Sequence, residues 1–324
     1  MRLEYQILAA LVLDLLAGDP RWLPHPVRAI GWFAQWLEPM ARKVHRSPRG
    51  AGITTAAAVL AVTGFISFGM WKLASELHPF AGDAVSIYLI YTAVAARDLV
   101  RHSRHVYAAL AKKDLPEARR RIAFLVGRDT DCLEESGVVR AAVESVAENT
   151  VDGVTAPVFF AFLFGPVGAM VYRAVNTLDS TFGYRNERYE QFGWASARLD
   201  DAINFVPARL TGATVCLAAA LLHRRGREAL RILTRDARNH TSPNAGRPEA
   251  AMAGALGVQL GGLNTYFGQP SEKPTIGDPT EALAREHILQ ANRTMWATLF
   301  LFCGICSGLR FGIVLAWEML RAAV

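Results

Sequence analysis

Charge is scarce in this chain. Only 20% of its 324 residues are Asp, Glu, Lys or Arg, whereas 52% are hydrophobic, and the mean hydropathy is positive. A soluble α/β protein of this length usually carries more charge and fewer long apolar runs, so the competing soluble reading is an all-helical protein with buried hairpins. Cysteine is also sparse. Cys132, Cys216, Cys303 and Cys306 are scattered, and the last two have CxxC spacing inside an apolar run with no second pair. That placement argues for packing residues rather than a zinc or redox site. The chain lacks a P-loop, a dinucleotide-binding glycine turn and a zincin helix motif, so nucleotide use cannot be read from a generic motif. Internal repeats, low-complexity tracts and strand-like alternation are absent or weak, and helical runs dominate.

Long uncharged stretches are present instead. Residues 51–71 and 84–96 carry no charge, and the second is extended by Leu99 and Val100. Runs at 154–172, 202–222 and 295–317 complete the set. A spanning helix needs roughly 20 apolar residues, so the chain reads as all-α: a multipass integral membrane protein with cytoplasmic loops and room for re-entrant helices. Arg310 in the last run either snorkels or faces a partner. The first segment, 7–17, is short and holds Asp14 without a clear cleavage site, which predicts a retained first membrane helix rather than a signal peptide.

The formal net charge is +6. Basic residues gather at Arg21 to Arg49, at Arg97 to Arg121 and at Arg224 to Arg238, whereas 72–83 has one Lys against Glu76 and Asp83. The positive-inside rule places the first two basic regions in the cytoplasm and 72–83 outside. These patches alternate with apolar spans and lack interleaved aromatics, which argues against nucleic acid as a partner. A single crossing at 154–172 would put 173–201 outside. A hairpin pairing 137–153 with 154–172 would avoid this, provided its charges face protein or water.

Polar residues cluster in a few motifs. Asp19, His25 and Arg28 lie on a turn stiffened by Pro20, Pro24 and Pro26, which either anchors at the interface or forms part of an anion pocket. In FLVGRDT, Gly127 allows a tight turn and Arg128 can grip an anion, while Asp129 and Thr130 suit a helix cap. A helix beginning near Ser136 places Glu144 and Glu148 on one face, with Asp152 one turn further and Asn149 beside them. That stripe either binds Mg²⁺ or an amine, or forms a solvent-facing edge, and repulsion along it calls for a cation or arginine partner. Arg173, Asn176, Thr177, Asp179 and Ser180 follow the next apolar run. Tyr184, Arg185, Asn186 and Glu187 come after them, and then Arg198, Asp200, Asp201 and Asn204. Pro207 is expected to kink the helix that follows. In the long segment after His223, Pro243 and Pro248 break the chain, 249–260 reads as a close-packed helix, and Asp236, His240, Ser242, Asn244 and Glu249 are available for substrate or metal.

The ordered motifs GDPRWLPHPVRAIG, FLVGRDT, VESVAENTVDGVTAP, YRAVNTLDSTFGY, SARLDDAINFVPARL, RDARNHTSPNAGRPEAAMAGALGVQLGG and NTYFG span roughly 7–279. They closely resemble the CobD/CbiB family of cobalamin biosynthesis proteins. The resemblance implies one membrane-embedded domain over 1–324 in the bacterial inner membrane, with its active site facing the cytoplasm. It implies adenosylcobinamide-phosphate synthase activity. In that reaction adenosylcobyric acid, a cobalt corrinoid, is joined to (R)-1-amino-2-propanol O-2-phosphate with ATP and Mg²⁺. The lipid bilayer, other cobalamin-assembly enzymes and a second copy of the chain are the partners expected beside the substrates. On this reading Glu144, Glu148, Asp152 and Asp201 are the catalytic candidates, and Glu144, Glu148, Asp179 and Asp200 the metal candidates. Asp19, His25, Arg28, Arg128, Asp129, Asn149, Arg173, Asn176, Tyr184, Arg185, Arg198, Asn204, Arg238, His240 and Asn244 are expected around the substrates. The competing functions are a corrinoid-binding membrane sensor and a corrinoid transporter, neither of which forms product.

Overall fold

The computed structural model describes residues 1–20, 22–184, 186–266 and 268–322. In chain order its elements are α1 (Leu3–Ala17), α2 (Pro26–Val44), α3 (Pro48–Leu77), α4 (Pro79–Ala93), α5 (Ala96–Ala111), α6 (Leu115–Ile122) and α7 (Glu135–Asn149). A π-helical segment (Thr150–Thr155) leads into α8 (Ala156–Phe182), followed by α9 (Trp194–Ile203), α10 (Phe205–His223), α11 (Gly226–Asp236) and α12 (Gly246–Leu256). A hairpin of β1 (Leu260–Tyr266) and β2 (Gln269–Ile276) precedes α13 (Glu286–Ala322). Five helical segments are long and apolar enough to cross a membrane: Pro48–Leu77, Pro79–Ala111, Glu135–Phe182, Phe205–His223 and Glu286–Ala316. The multipass all-helical expectation therefore holds. At 15 residues, α1 spans about 22 Å and falls short of a full crossing.

The chain forms two compact units. The first comprises Met1–Ala95, Ala156–Asn204 and the residues from Cys306 onward. Its surface is markedly apolar: α3 leaves Phe65 80% and Leu73 62% exposed, and α13 leaves Phe311 and Ile313 exposed. Such a surface suits lipid rather than water. Charged groups on these helices find partners. The Arg310 guanidinium donates to Glu4 at 2.7 Å and to the Phe162 carbonyl at 3.0 Å, which answers the question of how it is tolerated. Buried Glu38 on α2 accepts from Arg42 at 2.9 Å, from Arg188 at 3.1 Å and from Tyr189 at 3.3 Å, tying the segment before α9 to α2.

Helix α8 does not run straight through 154–172. Gly165 has φ +65° and ψ −156°, and Pro166 follows it. Phe160 and Tyr172 would be about 18 Å apart along a straight helix, yet their rings stack at 5.3 Å. The chain therefore doubles back at Gly165, and 166–182 returns alongside 156–164. A reversal is present, but it lies at Gly165–Pro166 and not near residue 153, where the π-helical segment carries α7 into α8.

The second unit comprises Ala96–Thr155 and Phe205–Ile305. Its centre is α12, buried from Pro248 to Leu256 because its small Ala and Gly residues let α10 and α11 approach closely. The helix expected over 249–260 starts earlier and stops at Gly257, which adopts the left-handed conformation that ends helices. Pro207 sits in the first turn of α10 and does not kink it, since its missing N–H has no intrahelical partner there. The antiparallel β1–β2 hairpin was not expected. Its register shifts between Leu260 and Gly262, and Gly261 has φ +80° with the Pro274 carbonyl 2.3 Å from where a Cβ would stand. Only glycine fits this bulge.

At Gly165 nothing lies within 4 Å of an added Cβ, so only backbone conformation opposes a side chain. Gly165→Ala is expected to lower stability by about 1–3 kcal/mol. Gly69→Ala in α3, which is equally open and has no positive φ, should leave it unchanged or raise it by roughly 0.5–1 kcal/mol. Thermal unfolding of the two variants in one detergent provides the comparison.

Candidate active site

In the second unit, the turn after α6 delivers Arg128, 9% exposed, against Glu144 on α7, 7% exposed. Arg128 Nη2 donates to Glu144 Oε2, and Nη1 donates to Asn264 Oδ1 on β1. Glu144 Oε1 accepts from the Gly261 N–H at 2.8 Å. Both carboxylate oxygens are therefore engaged within the protein, and the expected arginine partner is Arg128. One turn earlier on α7, Arg140 donates to the carbonyls of Gly261 and Leu263, the latter at 2.7 Å. Asp129 does not cap α7, which begins after Glu134 without a side-chain cap. Its N–H instead donates to the Thr265 carbonyl at 2.8 Å, and its Oδ2 accepts from Gly268 N–H at 2.7 Å. The FLVGRDT turn thus holds the hairpin.

Further charged groups of this unit come from α11, the turn after it, and α12. Asp236 is buried and accepts from Arg235 at 2.6 Å and from the Gly277 N–H at 2.8 Å. The Arg235 guanidinium holds its carboxyl below the usual carboxylate range. The Ser242 N–H donates to His240 Nδ1 at 3.0 Å, and His240 Nε2 stands 3.5 Å from Glu249 Oε1. Burial and the positive charge of Lys273 push the imidazole below its ordinary value. Burial, reinforced by Glu144 and Glu148, raises Glu249 well above the usual carboxylate range, against the opposing charges of Lys273 and Arg128. Glu148 itself is exposed on α7 and has no hydrogen-bond or ion-pair partner among the described residues. Lys273 on β2 lies 5.9 Å from the Tyr266 ring centre and forms no ion pair among the described residues. Carboxylates from α7 and α12 thus gather with Lys273, Arg128 and His240, and opposite charges meet in one region.

The first unit holds most of the remaining expected residues, whereas Asn149, Asp152, Arg238 and Asn244 belong to the second. Asp19 accepts from Arg28 at 2.9 Å and lies 3.5 Å from His25 Nε2. The Tyr88 and Tyr91 hydroxyls donate to the carbonyls of Pro24 and Gly18, pinning the turn. A cleft of about 560 Å³ opens beside His25, lined chiefly by apolar side chains such as Trp32, Phe33, Ile66 and Met70. Arg173 donates to Asn176 at 3.1 Å. Asn204, buried, donates to Asp200 and accepts from Tyr172, both at 3.0 Å. Arg198 and Asp201 are 4.0 Å apart, and Asp179 is half-buried near the end of α8. Tyr184, Arg198 and Arg238 are exposed, Asp152 and Asn149 are half-buried, and Asn244 is buried. Asn149 donates to the Ser145 carbonyl at 2.9 Å. Arg185 lies outside the described residues. Of the four metal candidates, Glu144 and Glu148 belong to the second unit, and Asp179 and Asp200 to the first. Among the described residues no three His, Cys, Asp or Glu side chains group to hold a metal ion. Arg140, Asn264 and Lys273 were not anticipated as parts of the site. The only sequence signal for Arg140 is its spacing of four from Glu144, and Lys273 stands between two prolines without any helical pattern.

The family model described as CobD/Cbib protein matches residues 7–295. The "Cobalamin biosynthesis protein CobD" of Geobacter metallireducens is 55% identical over 277 residues, covering 86% of this chain and 87% of that protein. The protein of the same description from Leptospira interrogans is 46% identical over 291 residues, covering 90% and 92%. The "Cobalamin biosynthesis protein CbiB" of Salmonella typhi is 43% identical over 307 residues, covering 94% and 96%. No solved structure gives a significant match.

Two measurements follow from the site. Arg128→Met leaves Glu144 buried without its cation and should lower stability by about 3–5 kcal/mol. Adding Glu144→Gln should recover part of that loss in thermal unfolding. Asp236 has a folded pKa below its unfolded value near 3.9, so its contribution is complete above that value and is lost as pH falls through the folded pKa. Between about pH 6 and pH 3 the unfolding temperature should therefore drop more steeply in the wild type than in Asp236→Asn.

Proposed function

Because the chain belongs to the CobD/CbiB family of cobalamin biosynthesis proteins, we propose that it is an adenosylcobinamide-phosphate synthase. On this reading it forms an amide between adenosylcobyric acid and (R)-1-amino-2-propanol O-2-phosphate, with ATP as the energy source. The family match over 7–295 carries the reading. The charge pattern of the second unit supports it. An aminoalkyl phosphate presents an ammonium and a phosphate, and that region offers Glu249 to the first and Lys273 to the second. We place the protein in the bacterial plasma membrane with this region facing the cytoplasm, where ATP is available.

A carboxylate does not condense with an amine at neutral pH, so the corrinoid carboxyl must first take a phosphoryl group from ATP. The amine must lose a proton before it attacks, and a carboxylate beside it can accept that proton. Cationic side chains hold the phosphate and corrinoid oxygens. Asp152, in the same unit, serves as a further acid–base group in this account. The donor set does not form a dedicated metal cage, but it fits Mg²⁺ as it usually accompanies ATP, held by phosphates and one or two carboxylates. Glu148 is the accessible carboxylate for that role, whereas Glu144 is engaged by Arg128 and Gly261. When bound there, Mg²⁺ would neutralise charge on the transferring phosphoryl group.

The test is an assay of purified protein in lipid or detergent with adenosylcobyric acid, aminopropanol phosphate, Mg²⁺ and ATP, read by mass spectrometry. An amide that appears only with ATP is the expected result. Tight corrinoid binding without product, or corrinoid moved unchanged across vesicles, would overturn the synthase reading in favour of a sensor or a transporter.

A further inference from the structure

Glu249 occupies an unusual place for a carboxylate. It lies in the first turn of α12, 5% exposed, and the helix beyond it is buried to Leu256. Buried carboxylates are expensive unless paired, yet no Lys or Arg lies within ion-pair distance of Glu249 among the described residues. Arg128, the arginine whose charge acts on it, is committed to Glu144 and Asn264.

Among the described residues the one group at ion-pair distance is His240, whose Nε2 stands 3.5 Å from Glu249 Oε1. Its Nδ1 faces Ser242, with the N–H at 3.0 Å and the carbonyl at 3.3 Å. The closer contact is the one in which Nδ1 accepts, and it leaves the proton on Nε2, towards Glu249. The imidazole thus faces Ser242 through Nδ1 and Glu249 through Nε2. Glu249 Oε2 accepts no hydrogen bond among the described residues. Glu144 and Glu148 from α7, Lys273 from β2, Arg128 from the turn after α6 and His240 are the charged and titratable groups acting on it. Two of these are carboxylates, which favour a cationic visitor and a captured proton.

The geometry points to Glu249 as the base that takes a proton from the ammonium group of the amino-alcohol substrate, with His240 as the residue that positions it. This rests on the amide-forming reading above. In the step, one ammonium proton passes to Glu249 Oε2, and the freed nitrogen lone pair forms the C–N bond at the carbonyl carbon of the acyl phosphate made with ATP. The C–O bond to phosphate breaks, inorganic phosphate leaves with that electron pair, and the second proton on nitrogen goes to solvent.

The test compares wild type, Glu249→Gln, Glu249→Asp and His240→Gln with two nucleophiles. One is aminopropanol phosphate, an ammonium ion at neutral pH. The other is its aminooxy analogue, which is largely unprotonated there. Glu249→Gln should lower kcat for the ammonium substrate by about 10²–10⁴-fold with little change in KM, whereas the aminooxy analogue, needing no base, should lose less than about tenfold. Glu249→Asp should retain part of the activity, and His240→Gln should show a smaller loss with the same dependence on the nucleophile. Equal losses with both nucleophiles, or wild-type kcat in Glu249→Gln, would overturn the assignment. Should Glu249→Gln fail to fold, Glu249→Asp and His240→Gln carry the same comparison. A wild-type protein that makes no amide would overturn the synthase reading itself.

Discussion

The buried pair between Arg128 and Glu144 organises the second unit. Two charges taken out of water are costly unless their remaining hydrogen-bonding capacity is met. Here it is met by Asn264 and by the Gly261 N–H, both on β1. The pair therefore joins three pieces of chain that are remote in sequence: the turn after α6, α7 and the hairpin. Arg140 and Asp129 fasten the same hairpin from either side. With β1 held, its antiparallel partner β2 is placed by the ladder, and Lys273 arrives beside Glu148 and Glu249. The chemistry proposed for the region depends on that placement.

A second constraint comes from the bilayer. The apolar segment Glu135–Phe182 has 48 residues and would reach about 72 Å if straight, more than twice the hydrocarbon thickness of about 30 Å. Gly165 and Pro166 break it and send the chain back. A glycine supplies the conformation that other residues resist, and the proline that follows cannot donate to the preceding turn. The polar motif beginning at Arg173 lies on the returning arm.

Much of this was legible in the residues. The apolar runs gave the membrane segments, and the spacing of Glu144 and Glu148 on a helix demanded a cation, which proved to be Arg128. The roles were harder to read. Arg128 reads as an anion-binding residue and Asp129 as a helix cap, because their partners on the hairpin lie over 130 residues away and no local pattern announces them. The hairpin was hidden by Gly261, Gly262, Pro270 and Pro274, which interrupt strand alternation and are tolerated only at a bulge or a sheet edge. Glu249 left a faint signal as a lone carboxylate in RPEAAMAGAL, whose small residues mark a tightly packed helix. Its pairing with His240 depends on the turn at Ser242, a feature of the fold.

The central claim is that the Glu144 carboxylate holds the hairpin through the Gly261 N–H while neutralising Arg128. Hydrogen–deuterium exchange of the β1 amides in wild type and Glu144→Gln, under conditions where both remain folded, tests it most directly. Faster exchange confined to β1 and the turn around Arg128, with α12 still protected, is the result this account predicts. Unchanged protection of the Gly261 region in Glu144→Gln would contradict it.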